Sequence, residues 1–238
     1  MSTTQVALIT GASRGLGLEI ARLYALRGLR LVLTARGAGP LRRAADELGR
    51  ATEVVAVAGD VADPEHATRL AAAALERFGR IDILINNASE LGPSPMPELE
   101  RLPIDAFEQV LRVNVAAPLR LTQLVLPGMR ARGSGLIVNV TSDAGVQAYA
   151  TWGGYGASKA ALEQLSRVLA AELEGSGVRV VVVDPGDMDT AMHRAAEPGV
   201  DLSHLPGPAA VAPAFVQLLD QDAPFARVEA QRLVALPA

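Results

Sequence analysis

Val6-Ala7-Leu8-Ile9-Thr10 is a short apolar run that stops at Gly11-Ala12-Ser13-Arg14-Gly15-Leu16-Gly17. Beyond it Ile20, Leu23, Tyr24 and Arg27 recur at helical spacing, so the order reads strand, glycine loop, helix. Glycines let a backbone turn tightly and approach a pyrophosphate, whose negative charge then sits at the amino end of the helix. The spacing Gly-x-x-x-Gly-x-Gly departs from the commoner Gly-x-Gly-x-x-Gly dinucleotide fingerprint. A glycine loop alone also fits a plain strand-to-helix turn. Its place in the first strand-helix-strand unit favours the nucleotide reading, which draws in Gly11, Ser13, Arg14, Gly15, Leu16 and Gly17.

Working outward, the next strand, Leu31-Val32-Leu33-Thr34, ends in Ala35-Arg36 where a ribose-reading carboxylate is expected. An arginine there, with Arg14 in the glycine loop, suits a 2'-phosphate and so favours NADP(H) over NAD. A helix over 41–48 precedes the strand 53–57, which closes on Gly59-Asp60-Val61. An acid and a small apolar residue there can meet an adenine edge, although Asp60 equally suits a turn or a helix cap. Pro64 to Phe78 reads as a helix closed by Gly79. The strand 82–85 ends in Asn86-Asn87-Ala88-Ser89, whose amides can tie a loop to a strand. Prolines 93, 95, 97 and 103 mark 90–103 as an extended loop.

Asp105 then caps a long helical segment reaching to about residue 130. Within it Pro118 has no amide hydrogen for the Asn114 carbonyl, so a bend is expected, with a freed carbonyl able to hold a water. Strand five, 136–140, leads to Thr141-Ser142-Asp143, and strand six, 178–183, to Asp184-Pro185-Gly186-Asp187-Met188-Asp189-Thr190. Residues 191–206 read as irregular, within a short lid over about 187–207. Pro208 to Leu219 reads as helical and 226–236 as strand-like.

Chemistry concentrates at Tyr155-Gly156-Ala157-Ser158-Lys159, which opens a long periodic segment. Residues four apart on a helix share a face, so the lysine ammonium would stabilise a neighbouring phenolate. A free tyrosine titrates near ~10 and a working proton donor nearer neutrality, a shift of about three units. A cation about 4 Å away at an effective dielectric of about 20 supplies on the order of 4 kcal/mol, as an upper estimate. Lys159 is the only lysine among the 22 Lys plus Arg of the chain. A compact ammonium can lie between a phenol and a second ligand, which a planar guanidinium cannot do as readily. Ser142, at a strand end upstream, can be folded in beside the phenol.

Composition bounds the alternatives. At 238 residues with 3% aromatic residues, the chain suits one α/β domain over 1–238 with a core of small side chains. A net charge of -4 with scattered arginines offers no stripe for nucleic acid or anionic lipid. The longest apolar runs fall short of a membrane span and the amino terminus has no signal-type region, so a soluble cytoplasmic protein is expected. There is no cysteine, and His66, His193 and His204 show no ligand spacing, so no metal is assigned. Each histidine is expected at the surface or on the lid.

Taken in order, the glycine loop, Asp60, Asn86-Asn87-Ala88, Asn114, Ser142, Tyr155-x-x-x-Lys159 and Pro185-Gly186 resemble the short-chain dehydrogenase/reductase family over about residues 5 to 190. The resemblance implies a doubly wound, seven-stranded parallel sheet with helices on both faces. It implies a catalytic tetrad in which Tyr155 protonates a carbonyl oxygen and Ser142 steadies it. Lys159 would bind the nicotinamide ribose and lower the tyrosine pKa, while Asn114 would anchor a relay water. It extends the cofactor contacts to Arg36, Asp60, Val61, Asn87, Ala88, Pro185, Gly186, Met188 and Thr190, and implies dimers or tetramers. Ser89 departs from the family's Asn-Asn-Ala-Gly, and the last strand lacks the glycine pair often seen near the family's carboxyl end.

The expected activity is NADPH-dependent reduction of a small-molecule carbonyl to an alcohol. The rival is a dinucleotide-binding regulatory or scaffold protein of the same fold, which would have no use for a solitary lysine at 159. Trp152, Tyr149, Val146, Met188, Met192 and Leu205 suggest a partly apolar pocket, and Asp143 and Asp187 would disfavour anions.

Overall fold

The computed structural model describes residues 4–235. β1 (Val6–Thr10) leads into α1 (Gly15–Leu26), β2 (Arg30–Ala35) into α2 (Ala38–Leu48) and β3 (Val54–Ala58) into α3 (Pro64–Phe78). β4 (Ile83–Asn86) connects through a long loop to α4 (Ile104–Leu111) and α5 (Ala117–Arg132). β5 (Gly135–Val140) is followed by α6 (Gly153–Glu172), and β6 (Val178–Asp184) by α7 (Ala191–Ala196), α8 (Pro208–Val211) and α9 (Pro213–Gln217). β7 (Phe225–Glu229) runs into α10 (Ala230–Ala235).

All seven strands pair in parallel in the order β3-β2-β1-β4-β5-β6-β7. Parallel neighbours need long crossovers, which the helices provide on both faces. Successive side chains of a strand point to opposite faces. Ala7, Ile9, Leu31 and Leu33 therefore pack with Ile20 and Tyr24 of α1, Leu41 of α2 and Phe215 of α9. Val6, Leu8 and Val32 pack on the other face with Leu70 of α3 and with Leu121, Val125 and Met129 of α5. Burial on both sides is why the strands read as nearly continuous apolar runs. Each fully buried leucine or isoleucine contributes about 1.5–3 kcal/mol. β1 has β2 on one side and β4 on the other, so the chain reverses its direction of winding there and a crevice opens at the strands' carboxyl ends.

Several expectations need correction. The segment around Asn114 does not simply kink: Arg112–Ala116 form a π-turn, closed by the Ala117 amide on the Arg112 carbonyl, between α4 and α5. Widening the turn absorbs the missing proline hydrogen without ending the helical path. Asp105 lies in the first turn of α4, and Pro103 occupies the cap position. Within 191–206 the chain forms α7, capped by the Thr190 hydroxyl, which accepts from the His193 amide at 3.1 Å. The expected helix over 208–219 is divided at Pro213 into α8 and α9. The expected strand at 226–236 ends at Glu229 and gives way to a helical turn, with Leu236 outside the described residues. No helix among the described residues is long and apolar enough to cross a membrane.

Candidate active site

At one side of the crevice the glycine loop is braced from β4. The Thr10 hydroxyl accepts from the amides of Asn87 at 3.0 Å and Ala88 at 2.9 Å and donates to the Ile85 carbonyl at 3.3 Å. The Asn87 amide donates to the Thr10 carbonyl at 2.9 Å and to that of Gly11 at 3.4 Å. Gly11 is held at φ +66, and a Cβ on Gly17 would lie 2.5 Å from both the Gly11 carbonyl and Asn87 Nδ2, so neither position has room for a side chain. Asn86 extends the bracing inward, donating to Asn139 Oδ1 at 2.8 Å, as Asn139 does to Ser166.

No side chain caps the amino end of α1, whose first turn carries no acid. Its free amides, with open space above Gly15, form a donor set that fits a pyrophosphate. Arg14 is exposed beside them. Asp60 takes the Ala62 amide at 2.9 Å and so makes a turn, and Val61 is buried against Val113 and Ala117. Arg36 directly follows β2, and the Glu90 carboxylate reaches it at 3.2 Å from the loop after β4. Sequence reading found no carboxylate at the end of β2, and the fold brings one in from elsewhere.

The opposite side carries Asn114, Ser142, Tyr155 and Lys159. Lys159 and Tyr155 do share a face of α6, with Nζ 5.3 Å from the ring centre. The ammonium is buried and donates to the Val140 carbonyl at the end of β5, at 2.8 Å. Ser142 lies two residues beyond the same strand and donates to Asp143 Oδ1 at 3.0 Å. Asp143 Oδ2 accepts from Tyr149 at 2.6 Å.

Asn114 is saturated. Its Oδ1 accepts from the Glu90 amide at 2.7 Å and from Ser89 Oγ at 3.1 Å. Its Nδ2 donates to the Glu90 carbonyl at 2.8 Å and to Ser158 Oγ at 2.9 Å. Ser158 in turn donates to the Tyr155 carbonyl at 2.6 Å. An asparagine amide has two donor hydrogens and two acceptor lone pairs, so nothing remains on this side chain for a water. It ties the 89–90 loop to the turn of α6 that carries Tyr155.

The electrostatics differ from the simple ammonium-phenolate picture. Burial raises the Tyr155 pKa above its ordinary value; the Ser89 and Ser142 hydroxyls pull it down, and the Asp184 and Asp143 charges push it up. Burial lowers Lys159 to about 8, opposed by Asp184. The protein's own groups thus do not bring the phenol down as expected from Lys159 alone, because a lysine with no water around it is itself a weaker cation. Asp184 ends β6 and is raised by burial, while it accepts from the Gly186 amide at 2.9 Å and from Arg227 at 3.3 Å. Arg227 also reaches Glu163 at 3.1 Å, and Glu163 accepts from Thr141 at 2.9 Å. This chain of charges links β7 to the site, and its members Arg227 and Glu163 were not singled out from the sequence.

Leu91, Met96, Ala144 and Ala196 cluster around Tyr155, with Trp152 and Met192 packed against them. Trp152 meets the Tyr155 ring edge-on at 5.9 Å. Leu91 and Met96, hidden in the proline-rich loop, were not anticipated. Val146 and Tyr149 are exposed instead, at 58% and 43%. Met188 packs on the core layer beneath, Pro185 is buried, and Gln231 of α10 supports the Gly186 turn by donating to the Asp187 carbonyl at 2.7 Å. His66 is not a surface residue: it is fully buried, with Nε2 2.8 Å from the Thr34 hydroxyl.

A parallel sheet wound both ways from β1, with a phenol, an ammonium and a serine gathered across the crevice from a glycine loop, is the frame of a nicotinamide-dependent oxidoreductase. The family model described as short chain dehydrogenase matches residues 5–201, and the chain belongs to that family. It is 38% identical over 191 residues to a 2-(R)-hydroxypropyl-CoM dehydrogenase from Xanthobacter autotrophicus, covering 79% of this chain and 76% of that protein. It is also 38% identical over 199 residues to a rhamnolipids biosynthesis 3-oxoacyl-[acyl-carrier-protein] reductase from Pseudomonas aeruginosa, covering 80% and 75%. Among solved structures, a metagenomic short-chain oxidoreductase in complex with NADP superposes with a TM-score of 0.81 at 32% identity, covering 96% of this chain and 99% of that one.

Proposed function

We propose that this oxidoreductase reduces a ketone or aldehyde to an alcohol with NADPH, Tyr155 being the proton donor. The observation that carries the reading is the Tyr155 phenol buried in an apolar cluster, one helical turn from a buried lysine. When bound along the crevice, the nicotinamide supplies the hydride. Tyr155 gives its proton to the carbonyl oxygen as charge builds there, and Ser142, turning its hydrogen from Asp143, holds that oxygen. Lys159, fixed by the Val140 carbonyl, places its charge by the phenol ring and would hold the nicotinamide ribose. Asn114 positions the loop and the helix turn that bear Ser89 and Tyr155.

For the cofactor, the α1 amides would take the pyrophosphate, and Arg14 and Arg36 the 2'-phosphate. The Arg36–Glu90 ion pair works against this preference, because the phosphate must share or displace a carboxylate. Two other features support NADP: β2 ends without a carboxylate of its own, and the metagenomic relative is in complex with NADP. Leu91, Met96, Trp152 and Met192 suit an apolar substrate body, and Asp143 beside Ser142 disfavours an anionic one. Ala157 and Ala160, exposed on α6, suit close packing of two such helices in a homodimer. A panel of neutral and anionic carbonyl compounds, followed by NADPH and NADH oxidation, tests the proposal. Turnover of neutral apolar carbonyls with NADPH is expected, and equal or faster use of NADH removes the cofactor assignment.

A further inference from the structure

The turn after β6 is held by the last segment of the described chain. Gly186 stands at φ +69, a conformation that glycine enters and leaves freely, so the turn 184–187 takes its shape from its neighbours. Ahead of Pro185, Asp184 divides its carboxylate: Oδ1 accepts from the Gly186 amide at 2.9 Å and Oδ2 from Arg227 Nη2 at 3.3 Å. Beyond Gly186, Gln231 Nε2 donates to the Asp187 carbonyl at 2.7 Å, and a Cβ on Gly186 would lie 2.6 Å from that same nitrogen. Arg227 lies in β7 and Gln231 in α10, four residues on, so one short segment grips the turn on both flanks. The turn itself stands on the Lys159 side of the crevice. Val183 pairs with Val140, whose carbonyl holds the lysine ammonium, and the Thr141 amide donates to the Val183 carbonyl at 2.8 Å. Arg227 ties the two strand ends together, because its Nε donates to Glu163 at 3.1 Å and Glu163 accepts from the Thr141 hydroxyl at 2.9 Å. A planar guanidinium can serve two carboxylates at once in this way.

We propose that Arg227 and Gln231 are positioning residues for the nicotinamide half of the dinucleotide, bracing the 184–187 turn from both sides so that it meets the cofactor already shaped. The inference rests on the reading that places the nicotinamide ribose at Lys159. A turn ordered beforehand loses little freedom on binding, and a ring held in one orientation passes its hydride more readily. Both residues act through the turn: Arg227 by fixing the Asp184 carboxylate that holds the Gly186 amide, and Gln231 by holding the Asp187 carbonyl. Arg14 and Arg36 belong to the β1 and β2 side, with β4 and β5 between β1 and β6, so the brace serves dinucleotides with and without a 2'-phosphate alike.

The test compares wild type with Gln231→Met, which keeps a long side chain behind Gly186 but no donor, and with Arg227→Met and Arg227→Lys. Titration calorimetry measures the binding of NADPH and NADH and of the same molecules without their nicotinamide, 2'-phospho-ADP-ribose and ADP-ribose. Carbonyl kinetics and Tm are recorded alongside. Gln231 is exposed, so Gln231→Met is expected to leave Tm unchanged. It should weaken both dinucleotides by about two- to tenfold, as for one neutral hydrogen bond, and lower kcat, with the fragments bound as by wild type. Arg227→Met should weaken the dinucleotides by about tenfold or more relative to the fragments, and Arg227→Lys should restore part of the loss, because an ammonium keeps the charge without the fork. Equal losses for dinucleotides and fragments, unchanged dinucleotide binding in Gln231→Met, or a wild type that binds neither dinucleotide more tightly than its fragment would overturn the brace. If binding shifts as expected but wild type turns over no carbonyl, the brace stands and the proposed reaction fails.

Discussion

On the side of the crevice formed by β4, β5 and α6, Asn114 is 1% exposed, Lys159 2% and Tyr155 9%, and every polar atom of the Asn114 side chain is paired. On the side formed by β1, β2 and β3 the glycine loop is equally rigid, but the arginines proposed to choose the cofactor stand in solvent, with 64% of the Arg36 side chain exposed. The groups proposed to handle the proton are thus fixed by burial and saturation, where each lost partner leaves a desolvated polar atom behind. The groups proposed to select the cofactor are exposed, Arg36 in a screened ion pair that contributes little. Chemistry should be hard to change by single substitutions without loss of stability, and cofactor preference easy.

Asn114→Ala is the harshest way to sharpen that contrast. It leaves the Glu90 amide and carbonyl without their partner, so unfolding free energy should fall by about 3 kcal/mol, with turnover falling alongside. Denaturant unfolding checks this, and a loss of turnover at unchanged stability would show that Asn114 acts on the chemistry rather than through position. Across the crevice, Arg36→Ala should reduce kcat/KM for NADPH by about ten- to a hundredfold, leaving NADH use and Tm alone, as expected for one charge-assisted contact to phosphate. Glu90→Gln should act in the opposite direction and more weakly, favouring NADPH by about threefold, since an exposed ion pair contributes about 1 kcal/mol or less. A larger NADPH effect from Glu90→Gln than from Arg36→Ala would break the comparison.

The smallest effect concerns acid. Burial lowers the His66 pKa, so the folded state holds the ring neutral beside Thr34. Its contribution is fully present above the unfolded value of about 6.5 and is lost as pH falls below it, because the unfolded chain then binds the extra proton. The Tm of wild type should therefore drop on acidification more steeply than that of His66→Gln. Parallel Tm curves for the two proteins would remove His66 from the acid response.

How far the sequence could be read follows the same division. Strands β1, β2, β4, β5 and β6 were legible because burial on both faces forces continuous apolar runs, and the edge strand β3, only partly buried, was legible from its Val-Val-Ala-Val run. The four residues proposed as a tetrad could be singled out because residue type and spacing suggest their chemistry. What escaped reading depended on chain segments far apart. Glu90 meets Arg36 only once β4 is laid beside β1. Arg227 joins Asp184 and Glu163 only through the β6–β7 register. The ends of the chain misled for a local reason: alternating polar and apolar residues at 226–235 fit a strand and a helical turn about equally well over so short a length. The depressed tyrosine pKa expected from Lys159 overlooked that the lysine is desolvated by the same burial that brings it close.

The central claim is that the Tyr155 hydroxyl supplies the proton. Turnover and NADPH binding by Tyr155→Phe test it most directly, the binding read from cofactor fluorescence. Turnover should fall by about 10²- to 10⁴-fold while the Kd for NADPH stays within about twofold of wild type, because the ring and its packing against Trp152 remain and only the proton is gone. A variant that keeps its turnover would contradict the claim.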